Sequence, residues 1–277
     1  MSDFRPYQEQ VRNADADGTP LAINGNATRA FYGRPIPGEP LSLGDYRGII
    51  DYSPAELVIS ARAGTRLADV QSTLAGNRQM LAFEPPAFGE SATLGGTIAC
   101  GLSGPRRPWS GGARDFVLGV NCINGRGEYL RFGGQVMKNV AGYDLSRTLT
   151  GSMGTLALLL DIHLKVLPQP ATELTLVQTC SENEAIDRSN RWSSRPLPLS
   201  AACYLDGRLL FRLSGSARGV QAAAGQLGGE PLSEGNDFWR DLREQTLPFF
   251  AGDTPLWRLS LPPASPPLDL DGAQLVD

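Results

Sequence analysis

Two stretches of small residues have the pattern of an anion-binding site. Asn24-Gly25-Asn26-Ala27-Thr28 follows a short apolar run, and Thr93-Leu94-Gly95-Gly96-Thr97 lies farther along the chain. A small-residue loop after a strand aims successive amide N–H groups at a phosphate, and glycine lets a backbone approach a ligand closely. Asn-Gly is also a common turn dipeptide, and paired glycines also occur where two backbone segments pack closely. For the first stretch an anion-binding loop and a simple turn both stay open, and for the second stretch an anion-binding loop and a close packing contact both stay open.

The totals limit the classes of protein to consider. The 277 residues suffice for one large or two modest domains, and 41% hydrophobic with 19% charged residues fits a globular protein. A net charge of −4 argues against a non-specific nucleic-acid binder. The start of the chain has no signal-peptide pattern, and no run of about 18 apolar residues predicts a membrane span.

The four cysteines predict neither disulfides nor an iron–sulfur centre. They are scattered along the chain and show no Cys-x-x-Cys spacing. Cluster ligation needs grouped thiolates, so we expect buried free thiols in a reduced, cytoplasmic compartment and no bound metal.

The elements that must position the two stretches are predicted by hydrophobic periodicity. Helices are expected over 5–16 and 66–75, strands over 21–23, 41–43 and 57–61, a hairpin over 116–132, and a buried strand pair or one bent strand over 155–166. Pro168 and Pro170 end this pattern, and they place the domain boundary at residue 170.

Residues 171–277 have a different pattern of predicted helices and strands. It predicts a strand at 173–180, a helix at 182–192, a hairpin over 201–213, helices at 216–227 and 237–247, and a last strand at 256–261. This order is that of a ferredoxin-like or related α+β layer.

The central part of the chain resembles the oxidoreductases with a vanillyl-alcohol-oxidase-type FAD-binding domain, and among them the FAD-binding subunits of bacterial glycolate oxidases. The motifs that carry this resemblance are FEPP (83–86), TLGGT (93–97), GLSGPRR (101–107), RDFVLGV (114–120) and FGGQVMKNVAGYD (132–144).

The resemblance implies an α+β fold: a PCMH-type FAD-binding domain of two α/β subdomains in residues 1–170, then a smaller ferredoxin-like domain in 171–277. It implies FAD bound without a covalent bond, because the first loop has no histidine. Relatives continue beyond the position of Asp277, so the second domain is expected to lack its last return segment. The implied cofactor-binding residues are Asn24, Gly25, Asn26, Ala27, Thr28, Pro86, Thr93, Gly95, Gly96, Thr97, Gly101, Ser103, Gly104, Gly154 and Leu158.

The resemblance implies an FAD-dependent 2-hydroxy acid oxidoreductase that oxidises glycolate to glyoxylate. Such chemistry needs a cation for the carboxylate, a base for the hydroxyl proton and a flavin to accept hydride. Arg106, Arg107 and Arg114 are candidates for the cation, although pairing with Asp115 or a flavin phosphate is an equal alternative. Lys138 and Tyr143 belong to a family motif and are candidates to face the flavin.

His163 is the only histidine, and we expect it to be a structural or surface residue rather than the catalytic base, since it lies in an alternating strand pattern. The shortage of histidines keeps open the alternative of an accessory, non-catalytic flavin-binding subunit. A standalone D-lactate-type dehydrogenase is a further alternative, which the same shortage weakens. The implied partners are a second FAD-binding glycolate oxidase subunit, an iron–sulfur subunit and a small 2-hydroxy acid. The implied location is the cytoplasm, with any inner-membrane attachment through those partners.

Overall fold

The computed structural model describes residues 3–35, 37–134, 144–270 and 272–276. The chain divides into two compact units. The first comprises Met1–Ser103 and Gly111–Gln169, and the second comprises Gly104–Ser110 and Pro170–Asp277. The sequence predicted one break, at residue 170, and it did not predict that a short segment of the first half joins the second unit.

The first unit contains one five-stranded antiparallel sheet and two smaller strand pairs. β1 (Leu21–Asn24) pairs in parallel with β2 (Glu39–Ser42), and β5 (Gln79–Met80) pairs with β9 (Leu167–Pro168). The large sheet has the spatial order β3 (Ile49–Ser53), β4 (Val58–Arg62), β8 (Ala157–Lys165), β6 (Val117–Asn124) and β7 (Tyr129–Gly133). The described helices of the first unit are α1 (Arg5–Asp17), α2 (Leu67–Ala75), α3 (Leu94–Cys100), α5 (Ala113–Phe116) and α6 (Leu145–Leu149).

The central strand β8 explains why residues 155–166 read as an apolar run. Leu160, Ile162 and Leu164 are fully buried, because their side chains pack into the hydrophobic core of the first unit. One strand therefore accounts for the run, not a strand pair. Helix α2 buries Leu67, Val70 and Leu74, which are the apolar positions that its helical period predicts.

The second unit has the predicted ferredoxin-like topology. Its sheet has the order β11-β12-β10-β13, with all three pairings antiparallel, and this is the strand arrangement of a β-α-β-β-α-β fold. The elements are α4 (Arg107–Ser110), β10 (Thr172–Thr179), α7 (Glu182–Ser193), β11 (Leu199–Leu205), β12 (Arg208–Gly215), α8 (Ala217–Leu227), β13 (Glu230–Pro231), α9 (Gly235–Glu244) and a 3₁₀ turn at Pro248–Phe250.

Both faces of this second sheet are covered. On one face Phe211 packs against Trp192, with ring centroids 4.8 Å apart, and on the other Leu210 lies in a cluster with Trp239. Because Leu210 and Phe211 are consecutive in β12, they point to opposite faces. Trp109, from the short segment that joins this unit, packs against the cluster that contains Phe211.

The predicted last strand at 256–261 is wrong. The fourth strand of the sheet is β13, and residues 256–261 have no regular structure. Leu256 is 56% exposed and Trp257 is 82% exposed. Alternating apolar residues favour a strand only where a sheet edge accepts them, and at the outer edge of β11 the described bridge joins Tyr204 to Val276 instead.

Candidate functional site

The two small-residue stretches meet in space. Asn26 Nδ2 donates a 2.8 Å hydrogen bond to the Ser91 carbonyl oxygen, which links the loop after β1 to the segment before α3. A Cβ atom on Gly25 would collide with Thr93 Oγ1. Only glycine therefore permits this approach, in which Gly25 packs directly against Thr93.

The second stretch is an ordered helix start. The Thr93 side chain accepts a hydrogen bond from the Gly96 N–H (3.2 Å), which caps α3. The Leu94 N–H donates to the Thr65 carbonyl oxygen (2.8 Å), and the Gly95 N–H donates to the Ala63 carbonyl oxygen (2.7 Å). These amides are thus already paired within the protein.

Both hydrogen-bond donors of Thr97 are engaged within the protein. Its N–H donates to the Thr93 carbonyl oxygen (3.0 Å), and its hydroxyl donates to the same oxygen (2.8 Å). Neither donor is therefore directed at a ligand in this structure. A Cβ on Gly95 would lie 2.7 Å from the Ala63 Cβ, so close packing, the alternative left open by the sequence, explains this glycine.

A residue that the sequence analysis missed lies between the two stretches. Arg29 follows the first loop, is only 8% exposed, and directs its guanidinium at α3. Its Nη2 donates to the carbonyl oxygen of the buried Pro86 and to Thr97 Oγ1, the latter at 3.1 Å. Its Nη1 lies 3.6 Å from the place that a Cβ on Gly96 would occupy. A basic residue directly after a small-residue loop was the available sequence signal.

The rest of the first loop contacts the segment that follows Pro86. Thr28 Cγ2 lies 3.3 Å from the place of a Cβ on Gly89, and Phe88 meets Phe31 edge to face, with centroids 5.0 Å apart. Asn24 ends β1, where its carbonyl oxygen accepts the Leu43 N–H (2.9 Å), and Ala27 has a left-handed φ of 55°.

Gly101 and Ser103 have structural contacts that explain their residue types. Gly101 ends α3 at φ 66°, and a Cβ there would lie 2.9 Å from the Gly151 Cα. The Ser103 hydroxyl accepts the Ala113 N–H at 2.9 Å. Gly104 belongs to the segment that joins the second unit.

Gly154 and Leu158 lie in the first unit near β1 and within β8. A Cβ on Gly154, which has φ 76°, would make ordinary contact with Ile23 at 3.6 Å. Leu158 pairs with Ile123 of β6, and its side chain is buried in the core. Any ligand contact by Leu158 would therefore come from its backbone.

Arg106 is not placed as a substrate-binding arginine. It is 7% exposed, and its Nη2 lies 2.5 Å from Glu173 Oε1 within the second unit. Arg212 Nε lies 3.9 Å from the same carboxylate, which also accepts the Ser214 hydroxyl at 2.5 Å. Burial alone would raise the pKa of Glu173, but the bonds from Ser214 and Arg106 and the two positive charges hold that pKa below its usual value. Its ion pair is with Glu173, not with Asp115 as the alternative proposed.

The other candidate catalytic residues are either exposed or outside the described part of the chain. Arg107 and Arg114 are exposed, in α4 and α5 respectively. Lys138 and Tyr143 lie outside the described residues.

His163 is buried in β8, and its Nδ1 lies 2.7 Å from Ser60 Oγ. Burial lowers the pKa of His163, and the charge of Asp161 opposes that effect only in part. Of the two expected positions, structural or at the surface, the buried one is observed for His163.

No group of three or more His, Cys, Asp or Glu side chains in the described part of the chain could hold a metal ion. In the same residues, no helix has the length and apolarity needed to cross a bilayer.

Comparison with known proteins identifies the family of the chain. Residues 7–133 match a family model described as an FAD binding domain. The chain is 52% identical to the glycolate oxidase subunit GlcE of Escherichia coli over 97% of its own length and 76% of that protein.

More distant relatives match over shorter stretches. The chain is 30% identical to a D-lactate dehydrogenase of Anaerostipes hadrus over 50% of this chain and 29% of that enzyme. It is 38% identical to the glycolate oxidase subunit GlcD of Bacillus subtilis over 33% of this chain and 20% of that protein. Among solved structures, an alkyldihydroxyacetonephosphate synthase shares the fold with a TM-score of 0.65 at 15% identity, over 88% of this chain and 57% of the synthase.

Proposed function

Because this chain belongs to the family of the glycolate oxidase subunit GlcE, a family of FAD-dependent oxidoreductases, we propose that it is the FAD-binding subunit of a complex that oxidises glycolate to glyoxylate. The observation that carries the proposal is the contact between the two small-residue stretches, joined by Asn26 and Ser91 and closed by Gly25 against Thr93. A dinucleotide needs this kind of convergence, since its diphosphate must be held from more than one side.

The site fits FAD in two respects. The two small-residue stretches lie against each other, and the guanidinium of Arg29 supplies a positive charge beside them. When bound, FAD accepts two electrons from the substrate. We assign the holding of FAD to Asn24, Gly25, Asn26, Ala27, Thr28, Pro86, Thr93, Gly95, Gly96, Thr97, Gly101, Ser103, Gly104, Gly154 and Leu158. The loop 24–28 contains no histidine, so the cofactor is bound without a covalent link.

On the substrate side, the chain must hold a carboxylate and take up a proton from the hydroxyl group. We assign the carboxylate to Arg114, because it is exposed, whereas Arg106 is buried against Glu173. Lys138 and Tyr143 remain the proposed groups near the reacting atoms.

The subunit works with partners. The relative GlcE is named as a subunit of glycolate oxidase, and GlcD-type chains are also relatives. We propose a complex with a second FAD-binding subunit and an iron–sulfur subunit that passes the electrons on. The proposed location is the cytoplasm, where the partners supply any attachment to the inner membrane.

A second candidate is an accessory flavin-binding subunit whose partner performs the oxidation. Two observations favour it: Arg106 is engaged by Glu173, and the one histidine is buried against Ser60. A standalone D-lactate-type dehydrogenase is a third candidate that the same histidine shortage weakens.

One experiment separates these candidates. The purified chain is mixed with glycolate or D-lactate under anaerobic conditions, alone and with its co-purified partners, while flavin absorbance is recorded. Bleaching of the chain's own flavin by glycolate supports the first candidate. Flavin that stays oxidised supports the accessory role, and bleaching of the isolated chain by D-lactate in preference to glycolate supports the third.

A further inference from the structure

We infer that Arg29 is a cofactor-positioning residue whose buried guanidinium binds the diphosphate of FAD. The inference rests on the proposed FAD site and adds to it a residue that is absent from the predicted cofactor-binding residues. Its basis is the position of the guanidinium between the loop after β1 and the start of α3.

The first argument is that the backbone N–H groups at the start of α3 already donate hydrogen bonds within the protein. The N–H groups of Leu94, Gly95 and Thr97 donate to the carbonyl oxygens of Thr65, Ala63 and Thr93, and the Gly96 N–H donates to the Thr93 hydroxyl. Main-chain amides of this stretch are therefore engaged within the protein. A diphosphate placed here has to be met by other donors.

The second argument is the position of the charge. Arg29 is 8% exposed, and its guanidinium is oriented by Thr97 Oγ1 at 3.1 Å and by the Pro86 carbonyl oxygen. A guanidinium carries five N–H donors in a rigid plane that matches phosphate oxygens. The side chain thus enters the site in a fixed orientation, and little of its conformational entropy is left to lose when an anion binds.

The third argument is the residue type at position 96. Gly96 has no Cβ, and the place of that atom lies 3.6 Å from Arg29 Nη1. Any larger residue at 96 would bring a side chain toward this face of the guanidinium. Gly96 therefore places no side chain of its own against the charge of Arg29.

The test compares ligands with and without a diphosphate. Apo-protein is prepared as wild type, Arg29→Gln, Arg29→Lys and Arg126→Gln, the last being an exposed arginine of the β6–β7 turn. Binding of FAD, ADP and riboflavin is measured by calorimetry at two salt concentrations. Thermal unfolding of each apo-protein is recorded as well.

Loss of a charge-assisted bond should weaken FAD and ADP binding to Arg29→Gln roughly 10- to 100-fold, with little change for riboflavin. Arg29→Lys should keep the preference for FAD over riboflavin, and Arg126→Gln should match wild type. The salt dependence of FAD binding should fall in Arg29→Gln.

Equal FAD affinity in wild type and Arg29→Gln would overturn the inference, as would an equal loss for FAD and riboflavin, because that result indicates a structural role. If Arg29→Gln does not fold, a folded Arg29→Lys that has lost its preference for FAD overturns the inference, and one that keeps it supports the inference. Failure of the wild-type protein to bind FAD at all would instead contradict the proposed function.

Discussion

Arg106 Nη2 lies 2.5 Å from Glu173 Oε1, so a residue of the glycine-rich central region is paired with the first strand of the second unit. The two positions are 67 residues apart. This ion pair fixes Gly104–Ser110 within the second unit, together with the packing of Trp109. Part of the FAD-family motif GLSGPRR is thereby structural.

Glu173→Gln should destabilise the protein. The change leaves Arg106 and Arg212 without their shared negative charge, and both guanidiniums are buried. Since the Glu173 side chain is 28% exposed, we expect a loss of about 2 kcal/mol in the free energy of unfolding, less than for a fully buried pair. Urea denaturation measures it, with the exposed Glu56→Gln as the control. Equal stability of the two variants would contradict the structural role of the pair.

The same pair predicts a pH dependence. The folded-state pKa of Glu173 is lowered relative to the usual carboxyl value of 4.5, so its ionised form stabilises the folded state. That contribution is fully present above the unfolded pKa and is lost as the pH falls through the lower folded pKa. The difference in unfolding free energy between wild type and Glu173→Gln should therefore stay constant from neutral pH down to about 4.5 and shrink below it. A difference that grows on acidification would contradict this sign.

Gly25→Ala should weaken FAD binding. The new Cβ would collide with Thr93 Oγ1 and force apart the two stretches that we propose to hold the cofactor. An overpacked contact of this kind should reduce FAD affinity by about tenfold or more. Gly125→Ala is the matched control, because a Cβ at Gly125 meets no atom within 4 Å. Calorimetric FAD titration of both variants is the measurement, and equal affinities would show that the contact is not needed.

Thr93→Val should remove the cap of α3. The hydroxyl of Thr93 accepts the Gly96 N–H, and valine preserves the shape without the acceptor. We expect about 1 kcal/mol lower stability, the usual cost of a lost N-cap. Thr93→Ser, which keeps the acceptor, should stay close to wild type in thermal unfolding. If the serine variant were destabilised as much as the valine variant, the methyl contact rather than the cap would be responsible.

Arg114→Met tests the proposed carboxylate contact. If this arginine holds the substrate, the glycolate concentration needed for half-maximal flavin bleaching should rise roughly 10- to 100-fold. FAD content should remain unchanged. Arg218→Met, an exposed arginine of α8, is the control. Unchanged glycolate dependence in Arg114→Met would remove Arg114 from the site.

Local patterns were sufficient for most of the fold. The period of α2, the apolar run of β8 and the first three strands of the second unit followed from hydrophobic spacing. The 256–261 strand was wrong because an alternating pattern does not show whether a sheet edge is there to pair with it. In the structure, residues 256–261 have no regular secondary structure and are exposed.

The candidate site was predictable where chemistry is local and not where it depends on distant partners. Gly25 and Thr93 belong to recognisable stretches, and their contact follows from the fold. The engagement of Arg106 by Glu173 and the placement of Arg29 against Thr97 depend on residues 67 and 68 positions away. No local spacing encodes either of these contacts.

The most direct test of the account is the flavin content of the purified protein. The protein is denatured with acid, the precipitate is removed, and the flavin in the supernatant is identified and counted against protein. The account predicts one FAD per chain, all of it released. Absence of flavin, or flavin that stays with the precipitated polypeptide, would contradict it.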